Sequence, residues 1–200
     1  MGALWRWDFP PQFIKRFPLF VETGVGFADG IVYARECGWK RLISIEVDPA
    51  HAKRAAIKTL NYPAIKIITG DSGEFLRYVD CVGTFFWLDA HCPGHGYGTA
   101  RDPLFERDPD VRMPLQREME LLRGYAGHCA ILIDDLRYYS DAMDWHDGPL
   151  PDDQNTLPPE VRNLDFLEPF KERCAVEIFP EDAGYALIVP HGCPRPTILR

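Results

Sequence analysis

Acidic and hydroxyl residues, together with two closely spaced glycines, follow three short apolar segments in the first half of the chain. These residues are Glu22, Thr23, Gly24, Gly26, Glu46, Asp71 and Ser72. A glycine pair directly after an apolar segment is typical of a tight turn whose backbone approaches a ligand. Glu46 is placed to accept hydrogen bonds from two ribose hydroxyls, and Asp71 to accept one from an adenine amine. The set indicates a nucleoside-containing cofactor, although each acid alone could be a turn residue, a surface acid or a helix cap.

The glycine turn departs from the dinucleotide-binding fingerprint G-x-G-x-x-G. Gly24 and Gly26 match its first two glycines, but Asp29 stands at the third position and Gly30 follows one residue late. An acid at the start of a helix disfavours a pyrophosphate, which binds at the positive helix N-terminus. Because Glu22 adds a second acid at this rim, the turn suits a cofactor with positive charge and no phosphate. S-adenosylmethionine, with its ammonium and sulfonium groups, meets both conditions.

A second set of ionisable residues follows the fourth and fifth apolar segments. Asp89 and His91 follow one segment, and Asp134 and Asp135 end the other. Three carboxylates that converge there repel one another unless a countercharge such as Mg²⁺ joins them; otherwise one caps a segment and another is solvated. Asp89 and His91 are the candidate catalytic residues, and Asp89 is also a candidate cofactor contact. His91 either acts as a general base for a substrate hydroxyl or packs on the cofactor.

Strand-like and helix-like segments alternate along the chain. The predicted strands are "LFVET" (19–23), "RLISIEV" (41–47), "AIKIITG" (64–70), "GTFFWLDA" (83–90), "CAILIDD" (129–135), "CAVEIFP" (174–180) and "YALIVP" (185–190). Helical patterns separate the first five, and "EDAG" joins the last two as a hairpin. This alternation predicts a parallel sheet with helices on both faces and an antiparallel strand near the C-terminus.

Two stretches rich in Gly, Pro and Asp interrupt this pattern, at residues 92–113 and 140–160. Each is longer than most connections and follows the C-terminal end of a strand, where ligands bind in open α/β sheets. We predict that both are substrate-binding loops; the alternative is that they only decorate the surface.

Five motifs between residues 19 and 139 together resemble those of class I S-adenosylmethionine-dependent methyltransferases. The motifs are "FVETGVGFADGI", "ISIEVDP", "GDSGEFL", "FFWLDAH" and "ILIDDLRYY". The resemblance implies a Rossmann-like, doubly wound, mostly parallel seven-stranded sheet with a C-terminal antiparallel hairpin strand. It also implies that S-adenosylmethionine lies among the glycine turn and the acids at the first three strand ends.

The acids at the fourth and fifth strand ends resemble those of catechol O-methyltransferases and macrocin-type sugar O-methyltransferases. In those enzymes the corresponding acids hold Mg²⁺ for a substrate with vicinal hydroxyls. The resemblance therefore implies that Asp89, Asp134 and Asp135 are Mg²⁺ ligands.

Composition limits the remaining possibilities. The 200 residues suit one domain, residues 1–200, with residues 1–18 as an N-terminal extension. A net charge of −8 argues against a nucleic-acid partner, and no apolar run reaches the length of a membrane span. Six cysteines without a CxxC pair favour reduced thiols in a cytoplasmic protein. Self-association into an oligomer is compatible with the sequence.

The sequence as a whole predicts an enzyme that transfers the methyl group of S-adenosylmethionine to an oxygen of a small polar acceptor. Three alternatives stay open: a metal-free N- or C-methyltransferase, a non-catalytic S-adenosylmethionine-binding protein, and a nicotinamide-dependent Rossmann protein. Asp29 in place of the third glycine disfavours the last of these.

Overall fold

The computed structural model describes residues 3–91, 113–141, 143–150 and 162–199. The strands in this part of the chain are β1 Trp7–Asp8, β2 Leu19–Thr23, β3 Arg41–Glu46, β4 Ile65–Thr69, β5 Thr84–Leu88, β6 Ala130–Ile133, β7 Cys174–Phe179, β8 Tyr185–Pro190 and β9 Thr197–Ile198. The α-helices are α1 Pro11–Arg16, α2 Asp29–Cys37, α3 Pro49–Lys58, α4 Ser72–Phe75 and α5 Leu115–Arg123. Short 3-10 helices span Leu4–Arg6, Leu76–Tyr78, Leu136–Tyr138 and Asp165–Phe170.

Seven strands form one sheet in the order β4-β3-β2-β5-β6-β8-β7. All neighbours pair in parallel except β8, which runs antiparallel to both β6 and β7. This confirms the predicted mostly parallel seven-stranded sheet with a C-terminal hairpin strand. The strand order reverses between β2 and β5, and the crevice at that switch point is where open α/β sheets bind ligands.

Local sequence explains where several elements begin and end. Asp48 caps α3, since its Oδ1 accepts hydrogen bonds from the backbone N–H groups of Ala50 (2.6 Å) and His51 (3.0 Å). Pro49 follows at the first helical position, where its missing N–H is not needed. The central strands β2, β5, β6 and β8 are buried along their whole length, as expected for strands covered on both faces.

The N-terminal segment is part of the core. Trp7, Phe9 and Phe13 are buried in one apolar cluster with Trp39 and Phe85. The indole N–H of Trp39 donates to the backbone oxygen of the residue after α1 at 2.8 Å. The segment contains β1, which pairs with β9 in a separate two-stranded antiparallel sheet. It therefore covers one face of the seven-stranded sheet, and a second apolar cluster covers the other.

The two predicted substrate loops lie largely outside the described residues. The described start of the second loop packs against the C-terminal hairpin, where Trp145 contacts Gly184. Its indole N–H donates to the backbone oxygen of Ser140 at 2.8 Å, and the backbone N–H of His146 donates to that of Pro180 at 2.9 Å. This part of the loop is therefore held in place by buried contacts.

The described cysteines are all free thiols: Cys37, Cys81, Cys129, Cys174 and Cys193. Cys92 lies outside the described residues. Among the helices of the described ranges, none has the length and apolar character needed to cross a bilayer.

Candidate functional site

The turn after β2 passes directly over the end of β5. Gly24 has a φ of +80°, and its N–H donates to the backbone oxygen of Ile45 at 2.8 Å. A Cβ at Gly24 would lie 2.5 Å from the backbone oxygen of Asp89, so only glycine fits. Gly26 has a φ of +47°, and a Cβ there would meet nothing within 4 Å. The turn is thus closely packed on one side and open on the other.

Glu46, at the end of β3, fastens this turn to the sheet. Its Oε2 accepts hydrogen bonds from the N–H groups of Val25 (3.0 Å) and Gly26 (3.4 Å), and its Oε1 accepts one from Asp48 (2.9 Å). The side chain is almost fully buried. A carboxylate has about four lone-pair sites, so it keeps acceptor capacity for a ligand at the open side of the turn.

The sequence predicts Glu22 at the rim of the turn. In the structure it lies beneath the turn instead. It is buried, and Oε2 accepts a hydrogen bond from the Ser44 hydroxyl at 2.6 Å. Oε1 occupies the space beside Gly30, where a Cβ would lie 2.3 Å away. Burial raises the pKa of Glu22 to about 8. The exposed acid at this rim is instead Asp29, which forms an ion pair with Lys58.

Asp71 caps α4 and holds α5 against it. Its Oδ1 accepts a hydrogen bond from the backbone N–H of Glu74 at 3.0 Å and forms an ion pair with Arg117. A Cβ at Gly73 would lie 2.1 Å from the Arg117 side chain, so the glycine makes room for this contact. Asp71 therefore has a structural role in addition to the cofactor contact that the sequence predicts. Ser72 follows it as the first residue of α4 and is buried.

His91 joins the acids at the ends of β5 and β6. Its Nε2 pairs with Oδ2 of Asp135, and its Nδ1 lies 3.6 Å from Oδ1 of Asp89. Asp135 has a φ of +54°, and its N–H donates to Oδ1 of Asp134 at 2.7 Å. A left-handed aspartate is uncommon, and such strain clusters at functional sites. The fold thus brings together all four predicted residues of this set.

The imidazole supplies the countercharge that this acid cluster needs. Burial alone would lower the pKa of His91, but the Asp135 carboxylate outweighs burial and raises that pKa. Burial disfavours ionised Asp135, but His91 outweighs burial and lowers the pKa of Asp135. Burial and the nearby Asp135 charge raise the pKa values of Asp89 and Asp134. The result is one ion pair, between His91 and Asp135, and two carboxyls, Asp89 and Asp134, that hold their protons more tightly.

The acid cluster offers oxygen donors for a cation. Oδ2 of Asp134 and Oδ1 of Asp135 are buried and lack hydrogen-bond partners within the described part of the chain. Such oxygens are the ligands that Mg²⁺ prefers. Among the described residues, however, no three His, Cys, Asp or Glu side chains are grouped to hold a metal ion. These two oxygens could serve Mg²⁺ only with their carboxyls ionised and with the remaining ligands supplied by water and substrate.

Sequence reasoning missed Glu118, on α5. Glu118 is buried and lines a small cavity whose apolar walls include Leu88 and Leu115 and whose polar lining includes His91, Asp134 and Tyr139. Burial raises the pKa of Glu118 to about 7. The helix pattern contained a signal, because Glu118 stands three residues after Leu115 on the apolar side of an amphipathic helix. A carboxyl on the buried face of a helix is uncommon unless it has a partner.

No protein-family model and no curated protein sequence matches the chain. Solved structures do resemble it. The methyltransferase PaMTH1 from Podospora anserina, bound to S-adenosylhomocysteine, superposes with a TM-score of 0.55 at 14% identity, over 86% of this chain and 71% of that one. The O-methyltransferase TomG from Streptomyces achromogenes, bound to S-adenosylmethionine, superposes with a TM-score of 0.52 at 16% identity, over 90% and 76%.

The O-methyltransferase from Bacillus cereus, in complex with S-adenosylhomocysteine, is a third example. It superposes with a TM-score of 0.53 at 14% identity, over 89% of this chain and 76% of that one. At these identities the likeness establishes the fold. The chain has the Rossmann-like fold of S-adenosylmethionine-dependent methyltransferases, as the sequence motifs predicted.

Proposed function

We propose that this protein is an S-adenosylmethionine-dependent methyltransferase that acts on an oxygen of a small polar molecule. The observation that carries the proposal is the glycine turn held by Glu46 at the switch point of the sheet. The cluster of His91 with three acids lies at the adjacent strand ends. A cofactor bound at the turn and an acceptor bound beside His91 would therefore share the same crevice. The shared fold with methyltransferases bound to this cofactor supports the same conclusion.

The strand ends on the β3 and β4 side would hold the nucleoside half of the cofactor. Glu46 would accept hydrogen bonds from the ribose hydroxyls with the lone pairs that the turn leaves free. Ser72 and Asp71 follow β4, where the adenine would lie. Thr23, Gly24 and Gly26 would surround the amino-acid half, with the neutral Glu22 beneath the turn. Asp89, at the end of β5, would lie between the cofactor and the acceptor.

His91 is the group best placed to accept the proton of an acceptor hydroxyl. In the neutral form of the imidazole, the Nε2–H would donate to the Asp135 carboxylate, which fixes the orientation of the ring and leaves Nδ1 as the acceptor of the proton. The cofactor supplies a methyl group that forms a bond to the acceptor oxygen, while the electron pair of the broken carbon–sulfur bond stays on sulfur. Proton transfer to a positioned histidine contributes about 10²–10⁴-fold to such a rate.

The proposal also includes assistance of methyl transfer by Mg²⁺. The orphaned oxygens of Asp134 and Asp135 would hold the ion, and two oxygens of a diol would complete its shell with water. A bound cation would lower the pKa of the acceptor hydroxyl. Asp89 would join as a ligand if its carboxyl turned away from His91. Segments 92–113 and 140–160 would enclose the acceptor.

The test is transfer of a labelled methyl group from S-adenosylmethionine to a panel of small hydroxylated molecules, with and without a chelator. We expect His91→Gln to lower the rate by about 10²-fold or more. Mg²⁺ should restore chelated wild-type enzyme but not Asp134→Asn, while the exposed control Asp144→Asn should behave as wild type. A rate that chelation leaves unchanged would contradict the Mg²⁺ part. Methylation of amines but not hydroxyls would contradict the oxygen acceptor.

A further inference from the structure

The buried carboxyl of Glu118 has unused hydrogen-bonding capacity. The side chain is 1% exposed, and its Oε1 has no hydrogen-bond partner within the described residues. A buried polar atom without a partner destabilises a fold. Such a group in a cavity lining can accept a hydrogen bond from a bound water or ligand.

The cavity beside Glu118 has both apolar and polar walls. Leu88, at the end of β5, and Leu115, at the start of α5, form apolar walls of the same cavity. Ser72 lies beside the Glu118 carboxyl and is the first residue of the helix that follows β4. The carboxyl therefore lies between the end of β4, where the nucleoside half of the cofactor would lie, and the His91 cluster, which lines the same cavity.

One oxygen of Asp71, which the sequence suggested as the partner of the adenine amine, already has two partners. Its Oδ1 accepts from the backbone N–H of Glu74 and from Arg117. Glu118 by contrast offers an oxygen without a partner. We propose that Glu118 binds the amino group of the adenine ring and sets the preference of the site for adenine. This inference rests on the proposed function, because it assumes that S-adenosylmethionine occupies the crevice.

The protonation of Glu118 is compatible with this role. Burial raises the pKa of this carboxyl to about 7, so both of its forms are accessible near neutral pH. Either form has an oxygen that accepts from the amine, and the neutral form can also donate to a ring nitrogen. Hypoxanthine carries an oxygen in place of the amine. With Glu118 ionised, it would therefore bring an acceptor against an acceptor.

Calorimetric titration with two ligands tests the proposal. The ligands are S-adenosylhomocysteine and S-inosylhomocysteine; in the second, an oxygen replaces the amine and the adjacent ring nitrogen carries a hydrogen. We expect wild-type protein to prefer the adenine ligand by about 10-fold or more, the equivalent of one good hydrogen bond. Glu118→Met, which keeps the length of the side chain but removes both oxygens, should bring the two affinities within about 2-fold. Glu118→Gln should keep part of the preference, because its amide oxygen still accepts.

Glu120→Met is the matched control, since Glu120 is exposed on the same helix; it should keep the wild-type preference. A Glu118→Met variant that folds and keeps the full preference would overturn the proposal. If that variant does not fold, equal affinities of wild-type protein for the two ligands would overturn it as well. Wild-type protein that binds neither ligand would contradict the proposed function itself. The titrations therefore distinguish a failure of the Glu118 proposal from a failure of the proposed function.

Discussion

Replacement of Glu46 by alanine should loosen the turn that we assign to the cofactor. The Glu46 carboxylate accepts hydrogen bonds from the N–H groups of Val25 at 3.0 Å, Asp48 at 2.9 Å and, more weakly, Gly26 at 3.4 Å. A hydrogen bond to a charged group contributes about 1.5–3 kcal/mol. The space beside Gly26 is open, so water can replace part of this loss. We therefore expect Glu46→Ala to lower the free energy of unfolding by about 2–4 kcal/mol.

Two measurements on the same variant separate stability from binding. Denaturant unfolding gives the change in the free energy of unfolding, and calorimetric titration below the unfolding transition gives the affinity for S-adenosylhomocysteine. We expect the affinity for this ligand to fall about 10-fold or more, because the two hydroxyls of its ribose would also lose their acceptor. Glu36→Ala, which removes an exposed carboxylate from α2, should change neither quantity. Glu46→Ala with wild-type stability would refute the argument that this carboxylate holds the turn.

Three further predictions concern stability. Gly24→Ala should lower the free energy of unfolding by about 2 kcal/mol or more in a denaturant titration, because φ is +80° and the new Cβ would lie 2.5 Å from a backbone oxygen. The pKa of Glu22 is raised from 4.5 to about 8, so its contribution to stability is present at low pH and is lost as the pH rises through this range. Glu22→Gln should therefore flatten the decline in melting temperature between pH 4.5 and 8; an unchanged decline would place the titrating group elsewhere. Trp39→Ala should cost about 3–5 kcal/mol, since this fully buried ring packs against the N-terminal segment, and a loss below about 1 kcal/mol would show that the segment is not part of the core.

Most of the sheet could be predicted because its central strands are continuous apolar runs separated by caps and glycines. The segments ending at Thr23, Glu46 and Leu88 were identified in this way, and so was the terminal hairpin. The pairing of β1 with β9 could not be predicted, since two-residue strands at opposite ends of the chain have no periodicity. Such pairs depend on tertiary packing, which local sequence does not encode.

The candidate site, like the fold, could be predicted from the sequence only in part. Acids at the ends of parallel strands were expected to converge, and His91 does meet Asp89 and Asp135. What sequence spacing could not show is how far each carboxyl is buried or which group supplies its hydrogen bonds. Glu22 therefore lies under the turn, and Glu118 enters the site from a helix that sequence analysis treated as packing alone.

The central claim is that the crevice at the switch point binds S-adenosylmethionine and not a dinucleotide. Titration of the wild-type protein with S-adenosylhomocysteine and, separately, with NAD tests it most directly. The structure predicts saturable binding of S-adenosylhomocysteine with one molecule per chain, a matching rise in melting temperature, and no response to NAD. Saturable binding of NAD without any response to S-adenosylhomocysteine would contradict the claim.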